Sequence, residues 1–204
     1  MIIKSNKICG GDLMSNITIV SYIWSLFWIY WILAAIRTRS NVKKESSGQR
    51  SIQRVVHLVF VIISYIITFF QFKNIFFWNR IIPHYEYVEY IGIVILGLSL
   101  LFAIWARIVL GRNWSGAIQK VEGQRLVRSG PYKYIRNPIY TGIVCGFFGT
   151  FITFGLLASF IAFCIILFIY IMKISREQKF LITEFGEEYK KYIKESWALI
   201  PYIF

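Results

Sequence analysis

The amino-acid sequence predicts an all-α integral membrane protein with five transmembrane helices and an amphipathic C-terminal helix. Its 204 residues are 57% hydrophobic and only 16% charged, whereas soluble domains contain about 45–50% apolar and 25% charged residues. Long runs without a charge match the thickness of a bilayer. The 23 Lys and Arg residues outnumber the 10 Asp and Glu residues and are concentrated between those runs. Together these observations argue against a soluble domain.

The first two predicted helices lie in the first half of the chain, and the third crosses its midpoint. Residues 17–36 carry no charge, and as a helix they extend about 30 Å, the thickness of the hydrocarbon core. The second helix is predicted over residues 55–72, where His57 is the one ionisable interruption, and the third over residues 90–110.

The last apolar run, residues 139–172, predicts a helical hairpin. A single uncharged helix of that length would extend about 51 Å, which is too long for a bilayer. We therefore expect helices over 139–152 and 156–172, with a turn near residues 149–155. Gly142 and Gly146 are four residues apart, a spacing that favours close helix packing.

The distribution of basic residues predicts the orientation. Nineteen of the 23 lie in residues 37–54, in residues 107–136 and after residue 172, and five crossings put these three segments on the same side. The positive-inside rule then predicts a cytoplasmic C-terminus and an N-terminus outside. Because topology explains the positive charge, nucleic-acid binding is not needed to account for it.

The domain organisation is predicted to be simple. Residues 1–16 form a short tail, residues 17–204 a single membrane domain, and residues 105–204 its catalytic half. Three scattered Cys, two His and one Asp make no metal-ligand pattern, and neither a dinucleotide fingerprint nor a phosphate-binding loop occurs. We expect no metal and no soluble-type nucleotide domain.

Lys173 and Glu177 form the most informative charged pair. Their i, i+4 spacing puts them on one helix face where the last apolar run ends. The simplest interpretation is a surface ion pair worth about 0.3–0.5 kcal/mol. A cation and a carboxylate at this depth could also bind an anionic acceptor and a cationic cofactor. Beyond them, helical spacing predicts that an amphipathic helix carries Leu181, Phe185, Tyr189 and Tyr192.

Three motifs in the second half of the chain occur in a recognisable order: WARIVLGRNWS, GQRLVRSGPYKYIRNPIYTG and REQKFLITEFGEEYKKYI. Over about residues 90–204 the chain resembles the isoprenylcysteine carboxyl methyltransferase family, which is itself similar to the membrane phospholipid N-methyltransferases. The resemblance implies a membrane enzyme that transfers methyl from S-adenosylmethionine to a lipid-like or prenylated acceptor.

The resemblance also implies a binding role for each of several residues. One group lines the adenosine: Gln119, Gln124, Arg125, Leu126 and Val127. A second group holds the methionine end and the ribose: Tyr132, Asn137, Pro138, Ile139 and Tyr140. Glu177 closes the cofactor pocket, and Lys173 stands where the family usually has an arginine that binds the acceptor carboxylate.

The chain departs from the family pattern at three positions. Asn137 replaces a histidine and can donate a hydrogen bond without titrating. Gln178 replaces the second residue of a Glu-Glu pair. Lys173 replaces the arginine, which keeps the charge but loses the bidentate geometry. Methyl transfer remains the expected chemistry, while the case for a prenylcysteine acceptor is weaker.

Two alternatives to carboxyl methylation stay open. The first is N-methylation of a phospholipid or another amphipathic amine, for which Glu177 is the nearest candidate base. The second is a non-catalytic membrane scaffold or a small transporter. The near absence of ionisable residues in the middle of the apolar runs argues against a transport path.

Overall fold

The architecture comes from a computed structural model that describes residues 10–38, 48–70, 79–114 and 125–202. These residues form six helices, whose bounds are as follows: α1 Gly10–Thr38, α2 Gly48–Phe69, α3 Glu86–Leu110, α4 Pro138–Phe154, α5 Leu157–Phe185 and α6 Glu187–Glu195. No regular strand is found within these ranges.

Three helices are long and apolar enough to cross a membrane: Ser15–Thr38 of α1, all of α3 and all of α5. Two shorter apolar helices, Val55–Phe69 and Pro138–Phe154, accompany them. The predicted all-α membrane class is therefore confirmed, and an apolar helix occupies each of the five predicted places. That all five cross the bilayer stays a prediction.

Helix α4 is the centre of the bundle and is buried along most of its length. It packs most extensively against α3, where small residues let the two backbones approach. A Cβ on Gly142 would lie 2.5 Å from the Ser99 carbonyl oxygen, and one on Gly149 would lie 2.6 Å from the Leu96 nitrogen. The close packing expected from the Gly142–Gly146 spacing is thus present, and Gly149 extends it.

An aromatic cluster fastens α1 and α2 to this centre. The Trp24 ring lies 5.4 Å from the Tyr65 ring and 4.9 Å from the Phe147 ring. Its indole N–H donates to the Thr150 hydroxyl at 3.0 Å, which satisfies a polar group buried among rings. One residue of α1 therefore contacts both α2 and α4.

Charged side chains fasten the two ends of α3. At its start, buried Glu89 pairs with Arg80 at 2.7 Å and with His84 at 2.6 Å. Near its end, buried Arg107 donates to the Ala34 carbonyl and the Thr38 hydroxyl of α1 and lies 4.1 Å over the Trp114 ring. A cation at the C-terminus of α1 also complements the dipole of that helix.

The predicted hairpin between α4 and α5 is confirmed, with its turn at Gly155. This glycine adopts φ +62°, a left-handed conformation that terminates helices at little cost in glycine. Its carbonyl accepts the N–H of Ile81 at 2.7 Å and of Ile82 at 3.1 Å, so the turn is tied to the segment that precedes α3.

The single amphipathic helix predicted to carry Leu181, Phe185, Tyr189 and Tyr192 is divided between α5 and α6, and the helix that contains the predicted 156–172 span extends past residue 172. Helix α5 continues without a break to Phe185, and the chain turns only at Gly186, which adopts φ +56°. Apolarity ends at residue 172, but nothing between Lys173 and Phe185 breaks a helix, so the backbone continues. The amphipathic helix after the turn is α6, which buries Tyr189 and Tyr192 on one face.

The chain after α6 returns to the start of α4. The Arg136 N–H donates to the Trp197 carbonyl at 2.8 Å, and the Trp197 N–H donates to the Tyr134 carbonyl at 3.0 Å. The Thr141 hydroxyl donates to the Leu199 carbonyl at 2.6 Å. Residues 134–141, which lead into the first turn of α4, are thereby bound to the C-terminal segment.

Candidate functional site

A cavity of about 110 Å³ opens beside the C-terminal end of α3, the first turn of α4, the last turns of α5 and helix α6. Its walls combine aromatic rings with two guanidinium groups and one carboxylate. The lining residues are Leu110, Asn113, Trp114, Arg125, Leu126, Val127, Tyr132, Arg136, Asn137, Ile139, Tyr140, Glu177, Phe180, Leu181, Phe185, Tyr189 and Tyr192.

Residues 125–127 form one wall without regular secondary structure. The side-chain oxygen of Asn113 accepts the backbone N–H of Arg125 at 2.9 Å. The Asn113 amide donates in turn to the Leu110 carbonyl at 3.4 Å, so this wall is anchored to the end of α3. Asn113 therefore positions a segment that follows it by twelve residues.

Tyr132 forms part of the opposite wall. It lies in a short 3-10 turn, Gly130–Lys133, and its backbone carbonyl accepts the Tyr192 hydroxyl of α6. Burial raises the pKa of the Tyr132 hydroxyl well above its usual range, and the nearby Glu177 carboxylate raises it further. At neutral pH this hydroxyl is therefore protonated and can donate a hydrogen bond.

Glu177 and Tyr140 form the polar pair between α5 and α4. The Tyr140 hydroxyl donates to Glu177 Oε2 at 2.8 Å. The Lys173 ammonium lies 4.9 Å from the centroid of the Tyr140 ring. Tyr140 thus contacts both charged groups, and Lys173 and Glu177 do not form the simple surface ion pair that spacing alone allowed.

Arg136 lies between the cavity and the C-terminal segment. Its Nη1 donates to the carbonyls of Ile193, at 3.0 Å, and Ser196, while its Nε is buried without a hydrogen-bond partner. Burial lowers the pKa of this guanidinium, which nevertheless stays charged because arginine titrates far above neutral pH. An unpaired buried donor beside a cavity is suited to a ligand acceptor.

Asn137 connects the cavity to the C-terminal segment. Its side-chain amide donates to the Ala198 carbonyl at 2.8 Å, and its backbone carbonyl accepts the first regular bond of α4. The hydrogen-bond donation expected of this asparagine is thus present, and its partner is the protein itself.

The structure brings most of the predicted site residues to one cavity. Arg125, Leu126, Val127, Tyr132, Asn137, Ile139, Tyr140 and Glu177 all line it. Pro138 is buried in the first turn of α4, and Lys173 is not part of the lining but contacts the ring of Tyr140, which is. Gln119 and Gln124 lie outside the described residues.

Several lining residues were missed by sequence reasoning. Asn113, Trp114 and Arg136 lie within the recognised motifs, and Phe180 lies three residues after Glu177. On a helix that spacing places two residues on one face, so Phe180 could have been found. Tyr189 and Tyr192 were assigned only to amphipathic packing, because nothing local shows that α6 folds back over the cavity.

Comparison with known proteins bears on this arrangement. A family model described as phospholipid methyltransferase matches residues 88–188. A probable protein-S-isoprenylcysteine O-methyltransferase of Oryza sativa subsp. indica is 27% identical over 177 residues, which cover 85% of this chain and 88% of the relative. The protein-S-isoprenylcysteine O-methyltransferase of Schizosaccharomyces pombe is 29% identical over 101 residues, 48% of this chain and 43% of the relative.

A solved structure shares the fold. It is that of the eukaryotic intramembrane Ras methyltransferase, an isoprenylcysteine carboxyl methyltransferase, which aligns with a TM-score of 0.64 over 92% of this chain and 68% of the other chain, at 23% identity. The sequence and fold comparisons together confirm the family resemblance seen in the motifs.

Proposed function

Because this chain is related in sequence and in fold to the isoprenylcysteine carboxyl methyltransferases, we propose that it is a membrane methyltransferase dependent on S-adenosylmethionine. Its proposed acceptor is the carboxylate of a prenylated cysteine or of a similar lipid-like molecule. The observation that carries the proposal is the Glu177–Tyr140–Lys173 arrangement, which presents an anionic group at the cavity and a cationic group beside it.

The charged, hydrogen-bonding and apolar groups that line the cavity match the chemical groups of S-adenosylmethionine. Glu177 offers a carboxylate to a ligand that carries positive charge. The unpaired Nε of Arg136 offers a donor for the carboxylate of the methionine end. The apolar and aromatic lining is suited to an adenine ring. When bound, the cofactor supplies a sulfonium methyl that passes to an acceptor oxygen while the carbon–sulfur electron pair stays on sulfur.

The residue roles proposed here follow the sequence analysis. Arg125, Leu126 and Val127, held by Asn113, line the adenosine together with Gln119 and Gln124. Tyr132, Asn137, Pro138, Ile139 and Tyr140 hold the ribose and the methionine end, and Glu177 closes the pocket. Lys173 binds the acceptor carboxylate.

A carboxylate acceptor requires little chemistry from the protein. An α-carboxyl group has a pKa of about 3.3–3.7 and is ionised at neutral pH, so no general base is needed. The chain's task is to align the two reactants and to exclude water. Aromatic walls and the covering helix α6 suit that task.

We place this chemistry at the cytoplasmic face of a five-crossing protein. The proposal rests on the charge distribution, because the segments before α2, between α3 and α4 and after α5 carry most of the basic residues. It gives the cavity access to cytosolic cofactor and gives the apolar helices access to a lipid-like acceptor.

N-methylation of a phospholipid or another amphipathic amine is the second candidate, favoured by the match to the phospholipid methyltransferase model. An amine acceptor arrives protonated and needs a base, for which Glu177 is the nearest candidate. The adjacent Lys173 would repel such an acceptor, which favours the carboxylate.

The test is methyl transfer from radiolabelled S-adenosylmethionine to native membrane lipids and to a farnesylcysteine analogue. We expect label on the farnesylcysteine, released by mild base as a methyl ester releases it. Base-stable label on lipids would support the amine alternative. The absence of both transfer and cofactor binding would favour a non-catalytic scaffold.

A further inference from the structure

His57 of α2 faces another helix in the apolar part of the bundle. Its ring meets the Tyr170 ring of α5 edge to face, with centroids 5.1 Å apart and planes at 73°. Its Nδ1 is buried and has no hydrogen-bond partner. An unpaired polar atom in such surroundings is unfavourable, so it calls for an explanation.

Lys173 is the charged residue of α5 that follows Tyr170 by one turn. Its ammonium lies over the Tyr140 ring, which lies 4.7 Å from the Tyr170 ring that His57 meets. Among the described residues it forms no ion pair within 4 Å. A hydrogen-bond donor of α2 and a cation of α5 thus contact the same pair of neighbouring rings, Tyr170 and Tyr140.

We propose that His57 and Lys173 together bind the carboxylate of the methyl acceptor, and that His57 is an acceptor-binding residue supplied by α2. The inference rests on the proposed carboxyl methylation. A carboxylate has two oxygens and accepts several hydrogen bonds. One donor from each side of the α2–α5 interface fixes both its position and its orientation, which a single flexible lysine does not do.

The position of Tyr140 supports this assignment. Its hydroxyl binds Glu177 on the cavity side, while Lys173 lies over its ring. The anionic group thereby lies at the cofactor cavity, and the Tyr140 ring connects it to Lys173 directly and to His57 through Tyr170. An acceptor carboxylate held by His57 and Lys173 lies beside the cofactor cavity, as alignment of the two reactants for methyl transfer requires.

The place of α2 in the bundle explains why the second donor comes from this helix. Helix α2 packs against α5, and many of its other side chains are exposed apolar residues suited to lipid. An acceptor with a long apolar chain that approaches from the bilayer along α2 can keep that chain in lipid while its head group reaches His57. Ionisable residues within membrane segments commonly mark such substrate paths.

The experiment compares His57→Leu with His57→Gln, which keeps a hydrogen-bond donor, and with Val59→Ala, a control at an exposed position of the same helix. We expect His57→Leu to raise KM for farnesylcysteine about tenfold. We expect His57→Gln to recover much of the loss and Val59→Ala to match the wild type. The Kd of the cofactor should be unchanged in all three, since the cofactor cavity does not include His57.

A second measurement separates binding of the head group from a structural role. Inhibition constants against farnesylcysteine methylation are determined for an unreactive analogue of the acceptor that carries an anionic head group and for the matching neutral carboxamide. We expect the wild type to prefer the carboxylate and His57→Leu to lose most of that preference. Equal weakening of both analogues, or loss of cofactor binding, would make His57 a packing residue and overturn the inference.

The same experiments distinguish failure of the proposed function from failure of the role proposed for His57. If the wild type transfers no methyl to farnesylcysteine, the carboxylate proposal fails before any variant is made. If the wild type does transfer methyl while His57→Leu keeps its KM and its carboxylate preference, only the role of His57 is refuted.

Discussion

Tyr140 contacts both charged residues of the proposed site. Its hydroxyl donates a hydrogen bond to Glu177, at the proposed cofactor pocket, and its ring contacts Lys173, the proposed acceptor-binding residue. We expect Tyr140→Phe to weaken cofactor binding about tenfold, since a hydrogen bond to a charged group contributes about 1.5–3 kcal/mol. The ring contact with Lys173 is kept. Titration calorimetry with the cofactor measures the change, and Tyr134→Phe, at an exposed tyrosine, serves as control. Unchanged affinity in Tyr140→Phe would contradict the role of the pair.

Substitutions of Lys173 test whether the methyl acceptor is a carboxylate or an amine. Lys173→Met removes the charge and keeps the apolar stem, so cofactor affinity should stay nearly constant while transfer to a carboxylate falls about tenfold or more, equivalent to about 1.4 kcal/mol. Lys173→Arg should retain or raise activity because arginine can bind a carboxylate through two hydrogen bonds. Lys179→Met, at an exposed position of the same helix, is the control. Full activity in Lys173→Met would favour an amine acceptor.

At the scale of elements, the contact between α3 and α4 depends on glycine. A Cβ at Gly149 would lie 2.6 Å from the Leu96 nitrogen, so the two helices must separate to admit it. We expect Gly149→Ala to lower the stability in detergent by about 1–3 kcal/mol. Gly97→Ala, on α3, meets nothing within 4 Å and should be neutral or slightly stabilising, because alanine favours helix by about 1 kcal/mol. Thermal unfolding of both variants tests the contrast, and equal midpoints would refute it.

At the scale of the whole molecule, the five-crossing arrangement predicts which loops face the cytoplasm. In a background without Cys9, Cys145 and Cys164, we expect Pro83→Cys to react with an impermeant maleimide added to intact cells. Ser129→Cys should react only after the cells are opened. Both positions are exposed in the structure, so a lack of reaction reflects sidedness and not burial. Labelling of Ser129→Cys from outside would reverse the proposed orientation.

The sequence determined the class of the protein and the order of its helices. The length and apolarity of each run are enough to indicate a helix suited to a bilayer, whatever the neighbouring helices are. It also located the hairpin turn, since a 34-residue uncharged run cannot form one crossing and Gly155 can adopt a left-handed conformation. It did not locate the end of α5. Hydropathy changes at residue 172, but no helix-breaking residue occurs before Gly186, so the helix continues to Phe185.

The motifs identified most of the cavity wall, including Glu177 and Tyr140, because residues that share a ligand keep their order and spacing along the chain. Only the tertiary structure decided how α6 covers the cavity, that Asn113 holds Arg125 and that Asn137 binds the C-terminal segment. It also decided that His57 of α2 meets Tyr170 of α5. These contacts join residues far apart in sequence, and the packing of whole helices brings them together, which no local pattern of residues encodes.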